Sequence, residues 1–162
     1  MTKRSVFHSF HFDNDVMRVQ QVRNIGVIDG NPLVSLGQWE EIKRSDRAIE
    51  NWIAENMQRS ECVVVLIGAA TATRPWVLYE INKAWNDRKG VFGIHIHNLE
   101  CPNSGRSRKG ANPFDNVHFS SSGESLSTVV SCYDPNPIYA YTEVAEKMEY
   151  WVERAIVQRQ RY

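Results

Sequence analysis

The chain has 162 residues, and its 19 lysines and arginines are balanced by 19 aspartates and glutamates. This length suits one domain that buries roughly two-thirds of its unfolded surface, so we expect a single domain over residues 1–162. A neutral chain offers no general electrostatic attraction to nucleic acid or to a membrane surface. The one basic cluster, residues 106–109, is expected to be a solvated loop unless an anionic ligand lies nearby.

Cysteine spacing and hydropathy narrow the class further. Cys62, Cys101 and Cys132 are far apart and form no Cys-x-x-Cys pair, which gives no support to a disulfide framework or a zinc site. The N-terminus shows no signal-peptide hydrophobic segment, and no apolar run approaches the ~20 residues that span a bilayer. We therefore expect a cytoplasmic protein.

Strand and helix patterns alternate along the chain, which predicts βαβ units and a mainly parallel sheet. The elements predicted in the first part of the chain are a strand over 6–10, a helix capped by 13–15 and ending near 23, a strand over 25–28 closed by a turn over 29–32, and a helix capped at 45 or 46.

The middle of the chain carries the clearest signals. Residues 62–67 are continuously apolar, as in a strand buried on both faces of a parallel sheet. Pro75 suits the first turn of a helix, because its missing N–H costs nothing there. A core-facing stripe then recurs at helical spacing: Val77, Ile81, Ala84 and Trp85. The remaining predicted elements are strands over 91–97 and 128–133 and a helix over 142–159.

Two segments lack a clear period, residues 33–44 and residues 99–124. A connection as long as the second is uncommon unless it is functional or partly disordered.

Glu80 stands one turn into the helix that begins at Pro75, on a face that it shares with Trp76. That helix follows a buried strand, and open α/β sheets bind ligands at the carboxyl ends of their strands. We therefore expect Glu80 at the rim of a ligand-binding crevice. The structural alternatives are a solvated helix residue for Glu80 and an aromatic cap on the core for Trp76.

The Trp76-x-x-x-Glu80 pair after a buried strand resembles the helix that carries the catalytic glutamate of TIR-domain NAD hydrolases and cyclases. Over nearly its whole length, the chain resembles the bacterial TIR-like family of the Thoeris anti-phage protein ThsB. The segments that carry this resemblance are 6–10, 74–84, 91–98, 133–136 and 150–153. It implies a flavodoxin-like three-layer α/β sandwich whose five-stranded, mainly parallel sheet has the order 2-1-3-4-5.

The resemblance also implies a function. NAD would be the substrate, with no other cofactor and no metal, and the product would be a cyclic ADP-ribose-type signal in anti-phage defence. The implied partners are a phage-derived trigger, a downstream effector that senses the nucleotide, and a second copy of the chain. Nicotinamide leaves as a neutral molecule, so the chemistry needs one carboxylate beside the cationic ribose, and Glu80 is the matching position.

A nucleotide pocket beside Glu80 is expected to be lined by the loop after the first strand, the turn after the central strand and the start of the helix. The expected substrate-binding residues are Ser9, Phe10, His11, Asp13, Gly68 and Trp76. Ser9 and Phe10 cannot face the same side while the strand stays extended, so Phe10 is alternatively a core residue. Asp13 is alternatively a helix cap, and Gly68 alternatively serves tight strand–helix packing.

Other functions find less support. His95 and His97 have a spacing that can bind metal, but without a third recognisable ligand they are expected to be core or rim histidines. No Gly-x-Gly-x-x-Gly, Walker or Gly-x-Ser-x-Gly motif occurs. A phospho-receiver is excluded, because Gly68 stands where the acceptor aspartate should follow the central strand. The remaining alternative is a non-catalytic TIR-like interaction and signalling module that uses its helices and residues 33–44.

Overall fold

The computed structural model describes residues 3–30, 40–102 and 104–162, apart from the side chain of Asp13. Within these ranges five strands form one sheet in which every neighbouring pair is parallel. The strands are β1 (Ser5–Ser9), β2 (Asp29–Gly30), β3 (Cys62–Ile67), β4 (Gly90–His95) and β5 (Cys132–Tyr133). Their order is β2-β1-β3-β4-β5, which confirms the α/β class and the strand order predicted from the sequence.

Helices with described bounds cover both faces of this sheet. They are α1 (Phe12–Arg23), α2 (Asp46–Met57), α3 (Pro75–Asn86) and α4 (Ala140–Gln160). The hydrophobic side chains of α1 and α4 join one buried cluster, and those of α2 and α3 join a second cluster on the opposite face. The result is the three-layer sandwich expected from the resemblance. None of the helices in the described ranges has the length and apolarity needed to span a bilayer.

Strand β3 is the centre of both clusters. Its side chains alternate strictly: Cys62, Val64 and Leu66 belong to the cluster under α1 and α4, whereas Val63, Val65 and Ile67 belong to the cluster under α2 and α3. All six are fully buried. Burial on both faces explains why this strand reads as a continuous apolar run rather than as an alternating one.

Several boundaries differ from the prediction. The strand expected over 25–28 is instead β2, because α1 ends at Arg23 and a turn through Gly26, with φ of +77°, comes first. Most of the strand expected over 128–133 is absent, because residues 126–128 form a 3-10 helix that buries Leu126 and leave only β5 extended. Strand β4 ends at His95, two residues early. Most of the predicted loop over 33–44 lies outside the described residues.

The long connection after β4 is folded onto the sheet. Cys101 and Gly105 form one isolated bridge, and His118 and Ser125 form another. Between them, a 3-10 helix over Pro113–Asn116 buries Phe114 completely in the cluster under α2 and α3. The connection after β4 therefore lacks a sequence period because it is built from short turns, and not because it lacks structure.

Helix α2 begins at a capped residue, as predicted. The Ser45 side chain accepts a hydrogen bond from the Ala48 N–H at 3.1 Å, which satisfies one of the four amides that a helix start leaves unpaired.

We expect Ser45→Ala to lower the free energy of unfolding by about 1 kcal/mol, because the first turn of α2 loses this acceptor. Urea denaturation followed by circular dichroism measures the change. Ser45→Asp is the matched control and should stay close to the parent, since aspartate also caps helices. Equal losses in both variants would show that the cap is not what Ser45 contributes.

Candidate active site at the carboxyl edge of the sheet

Glu80 lies inside the protein rather than at its rim. Its side chain reaches the carboxyl end of β1, where the Ser9 hydroxyl donates a hydrogen bond to Glu80 Oε1 at 2.7 Å. Glu80 is only 6% exposed and Ser9 is fully buried. The expected rim position and the solvated alternative are therefore both wrong, because the buried face of α3 is wide enough to include Glu80 beside Val77 and Ile81.

Strand geometry explains why Ser9 is the partner. Alternation along β1 puts Phe7 into the cluster under α2 and α3, and Ser9, two residues later, points to the same face. Strand β1 pairs with β3 in parallel, with Ser9 opposite Val65, so both strands end near the start of α3. The Ser9 hydroxyl therefore lies next to the point on α3 where the Glu80 carboxyl group faces the core.

Burial changes the acid–base behaviour of this carboxyl group. Removal from water raises the pKa of Glu80 to about 8, and the hydrogen bond from Ser9 offsets only part of that rise. With a pKa of about 8, Glu80 is mainly protonated at neutral pH, and a positive charge placed beside it would favour its ionised form. A carboxyl group tuned to titrate near neutrality is typical of catalytic sites.

The other expected residues of the first loop are divided between the two faces of the sheet. Phe10 packs against the cluster under α1 and α4, with its ring centroid 6.1 Å from that of Phe12. This is the core alternative, and it follows from the alternation that points Ser9 the other way. His11 is the half-buried N-cap residue of α1 and makes no side-chain cap bond.

Asp13 does not cap α1. The helix begins at Phe12, so Asp13 is already inside its first turn, and the cap predicted over 13–15 is wrong. The error has a local cause: His11 N-caps α1 with backbone geometry alone, and its carbonyl accepts hydrogen bonds from the amides of Asn14 and Asp15.

Gly68 has no side chain, so other groups can come close to its backbone. In this structure those groups are other parts of the protein. A Cβ atom added to Gly68 would collide with the carboxylate of Asp15. On another side, Gly110 comes so near that its own Cβ would overlap the Gly68 carbonyl. The packing alternative therefore describes Gly68 in this structure.

Trp76 occupies the first turn of α3. It is half-buried, packs against the cluster under α2 and α3, and meets the ring of Tyr79 edge to face with centroids 5.2 Å apart. Part of its indole is anchored in the core while the rest stays accessible, a position that suits an aromatic wall beside a planar ligand.

Sequence reasoning missed a second buried carboxyl group at this edge of the sheet. The Asp15 side chain is 0% exposed, and burial raises its pKa despite nearby His11 and Arg18. The Thr71 hydroxyl lies 3.4 Å from Asp15 Oδ2 and also accepts a hydrogen bond from the Gly68 N–H at 2.8 Å. The i,i+3 spacing of Asp15 and Arg18 is the sequence signal that could predict their contact on one helix face. The interpretation of Asp15 as part of a helix cap does not use this signal.

The histidine pair lies at the end of β4. His95 and His97 are mostly buried, burial lowers both pKa values, and their ring centroids are 5.9 Å apart. His95 Nε2 lies 3.4 Å from Cys132 Sγ, and His97 Nε2 lies 4.0 Å from Asp134. Among the described residues no group of three or more histidine, cysteine or acidic side chains is arranged to hold a metal ion.

Comparison with known proteins gives two matches. Residues 7–101 match the family described as "Thoeris protein ThsB, TIR-like domain". A protein of Bacillus cereus (strain MSX-D12) with the name "Putative cyclic ADP-D-ribose synthase ThsB1" is 36% identical over 134 residues, which cover 78% of this chain and 69% of that protein. The family match includes the strand ends and the helix that bring Ser9 and Glu80 together.

The contact between Gly68 and Asp15 can be measured by a double-mutant cycle. Gly68→Ala should cost about 1–3 kcal/mol of stability, because its Cβ would occupy the space of the Asp15 carboxylate. The same change in an Asp15→Ala background should cost less, with a coupling energy above ~0.5 kcal/mol from thermal or urea unfolding. Equal costs in both backgrounds would contradict this contact.

Proposed function

Because the chain belongs to the TIR-like domain family of the Thoeris protein ThsB, we propose that it consumes NAD by cleaving the bond between nicotinamide and ribose. We further propose that it closes the remaining ADP-ribose into a cyclic signal, as the name of its Bacillus cereus relative suggests for that protein. The observation that carries the proposal is the buried Glu80 carboxyl group, held by Ser9 at the carboxyl edge of the sheet.

Cleavage of the bond between nicotinamide and ribose requires one negative charge beside the ribose. When the C1′–N bond of NAD breaks, its electron pair leaves with nicotinamide, which becomes neutral, and the ribose is left as an oxocarbenium-like cation. An ionised Glu80 beside that sugar stabilises the positive charge, and in a water-poor site the stabilisation is far larger than in solution. A hydroxyl group or ring nitrogen of the same ADP-ribose then forms a bond to C1′ to give a cyclic product, or water does so to give a linear one. When the attacking group is a hydroxyl or water, the proton that it loses passes to the Glu80 carboxylate.

Burial of Glu80 supports this role in a second way. The nicotinamide ring of NAD is positively charged, so its arrival lowers the pKa of a neighbouring carboxyl group and favours ionisation. Glu80, with a pKa of about 8 in the free protein, is close enough to neutrality to respond. In this proposal the substrate itself turns Glu80 from a neutral acid into the catalytic carboxylate.

The proposed substrate contacts follow from the elements around Glu80. Ser9 fixes one carboxyl oxygen, and the accessible part of Trp76 stacks on a planar ring of the substrate. His11 and Asp13, at the start of α1, are proposed as further substrate contacts. Phe10 and Gly68 instead pack within the protein, Phe10 against the core cluster and Gly68 against Asp15.

The biological setting belongs to the same proposal. A phage-derived component would trigger the activity, self-association would complete it, and a separate effector would sense the nucleotide product.

The direct test incubates the purified protein with NAD, with and without lysate from phage-infected cells, and resolves the products by mass spectrometry. We expect nicotinamide release and a cyclic ADP-ribose isomer. Glu80→Gln should reduce release on the order of a hundredfold or more, because it keeps the volume of the side chain and removes its charge. Glu50→Gln, at an exposed site on α2, is the matched control and should leave turnover unchanged. Comparable turnover in Glu80→Gln and the parent would reject the catalytic assignment.

The raised pKa of Glu80 also predicts a pH dependence of stability. Between the ordinary glutamate pKa near 4.5 and the folded value of about 8, the folded protein binds a proton that the unfolded chain has lost, so stability falls as pH rises through this window. Glu80→Gln should remove that fall and melt at a higher temperature than the parent at pH 8. Thermal melts from pH 5 to pH 9 decide the point, and parallel curves for the two proteins would contradict it.

A further inference from the structure

We propose that Thr71, Asp15 and Arg18 are positioning residues that hold the start of α3, and with it Glu80, in place for NAD cleavage. This buried cluster ties together the three connections that meet at the carboxyl edge of the sheet. The inference rests on the proposed function for its catalytic consequence, and on contacts among fully described residues for its geometry.

The first step concerns the turn between β3 and α3, in which Thr71 is hydrogen-bonded back to Gly68. Its hydroxyl accepts the Gly68 N–H at 2.8 Å, and its own N–H lies 3.5 Å from the Gly68 carbonyl. Thr71 is fully buried. An oxygen that already accepts one hydrogen bond still has a proton to donate, and Asp15 Oδ2 at 3.4 Å is the acceptor facing it.

The second step leads from Thr71 to Glu80. Residues Thr71–Thr73 form a 3-10 helix, the Arg74 N–H donates to the Thr71 carbonyl at 3.1 Å, and α3 begins at the next residue. The Leu78 N–H then donates to the Arg74 carbonyl at 3.1 Å. Hydrogen bonds therefore run without interruption from the Thr71 turn into the turn of α3 that carries Glu80, so a shift of Thr71 shifts the carboxyl group relative to Ser9.

The third step is the anchoring of the turn by α1. Asp15 packs against Gly68 so closely that no side chain fits between them. Arg18, one turn later and 5% exposed, lies 4.0 Å from Asp15 and donates to the Leu99 carbonyl at 2.9 Å and to the Gly105 carbonyl at 2.8 Å. The pair thus fixes the β3–α3 turn on one side and the loop after β4 on the other.

The loop after β4 also reaches the turn directly. The Asn116 side-chain amide donates to the Ala72 carbonyl at 2.9 Å, and Gly110 touches the Gly68 carbonyl. The turn before α3 is therefore held from α1 and from the β4 loop, which leaves it little freedom to move.

The polar composition of the cluster of Thr71, Asp15 and Arg18 indicates a role in orienting groups as well as in stabilising the fold. A buried ion pair with a separation of 4.0 Å recovers little of the cost of removing two charges from water, and apolar residues of similar volume are often as stable or more so. What polar groups provide is direction, since each hydrogen bond fixes an orientation. Catalytic groups need such control, because a misplacement of about 1 Å can cost on the order of a hundredfold in rate.

Thr71→Val and Thr71→Ser form the matched test. Valine keeps the shape of threonine and removes the hydroxyl, whereas serine keeps the hydroxyl and removes a methyl group. We expect Thr71→Val to lower the kcat of nicotinamide release by roughly tenfold to a hundredfold with KM nearly unchanged, and Thr71→Ser to stay much closer to the parent. The pH at which kcat is half-maximal should shift in Thr71→Val only, because the surroundings of Glu80 change.

Three kinetic results would overturn the proposal: parent-like kcat in Thr71→Val, a kcat loss that only matches the fraction of unfolded protein, or an effect confined to KM. Circular dichroism melts of each variant supply the folded fraction.

Hydrogen exchange measured by mass spectrometry supplies a readout that needs no activity. Peptides covering 68–78 should exchange faster in Thr71→Val than in the parent or in Thr71→Ser, while those covering α2 stay unchanged. Unchanged exchange at 68–78 would reject the anchoring of the turn. A parent that leaves NAD intact with and without infected-cell lysate would reject the proposed function, and the exchange result would then decide the geometry of the cluster separately.

Discussion

The hydrogen bond between Ser9 and Glu80 joins the end of a central strand to a covering helix, and the candidate site depends on it. A carboxyl group removed from water is costly unless it stays neutral or finds a partner. Here both occur, because burial raises the pKa of Glu80 to about 8 and the Ser9 hydroxyl occupies one oxygen at 2.7 Å. In the free protein, Glu80 is therefore a mainly neutral acid at pH 7.

The rest of the fold brings these two residues together. The parallel pairing of β1 with β3 aligns the ends of both strands, and the double-sided burial of β3 fixes which face each side chain takes. Helix α3 then leaves β3 through a turn that α1 and the loop after β4 hold in place through Asp15, Arg18 and Asn116. Buried polar groups are concentrated at the carboxyl edge of the sheet, where α/β proteins bind their ligands.

The sequence could predict those parts that depend on local period. The apolar run of β3, the Pro75 start of α3 and the Ser45 cap all follow from residue patterns, and the strand order followed from the resemblance to the family. The burial of Glu80 could not be predicted, because it depends on Ser9, 71 residues away in the chain. The contacts of Asp15 with Gly68 and Thr71 are also tertiary, so local patterns do not predict them.

The central claim is that Glu80 is a neutral acid that the substrate ionises. Carbon-13 NMR of the side-chain carboxyl groups, assigned with Glu80→Gln, measures this directly across a pH titration with and without an NAD analogue whose nicotinamide cannot leave. We expect Glu80 to titrate near pH 8 in the free protein and at a lower pH in the complex, because the cationic ring favours the carboxylate. A midpoint near the ordinary glutamate value of 4.5, or one that the bound analogue leaves unmoved, would contradict the account.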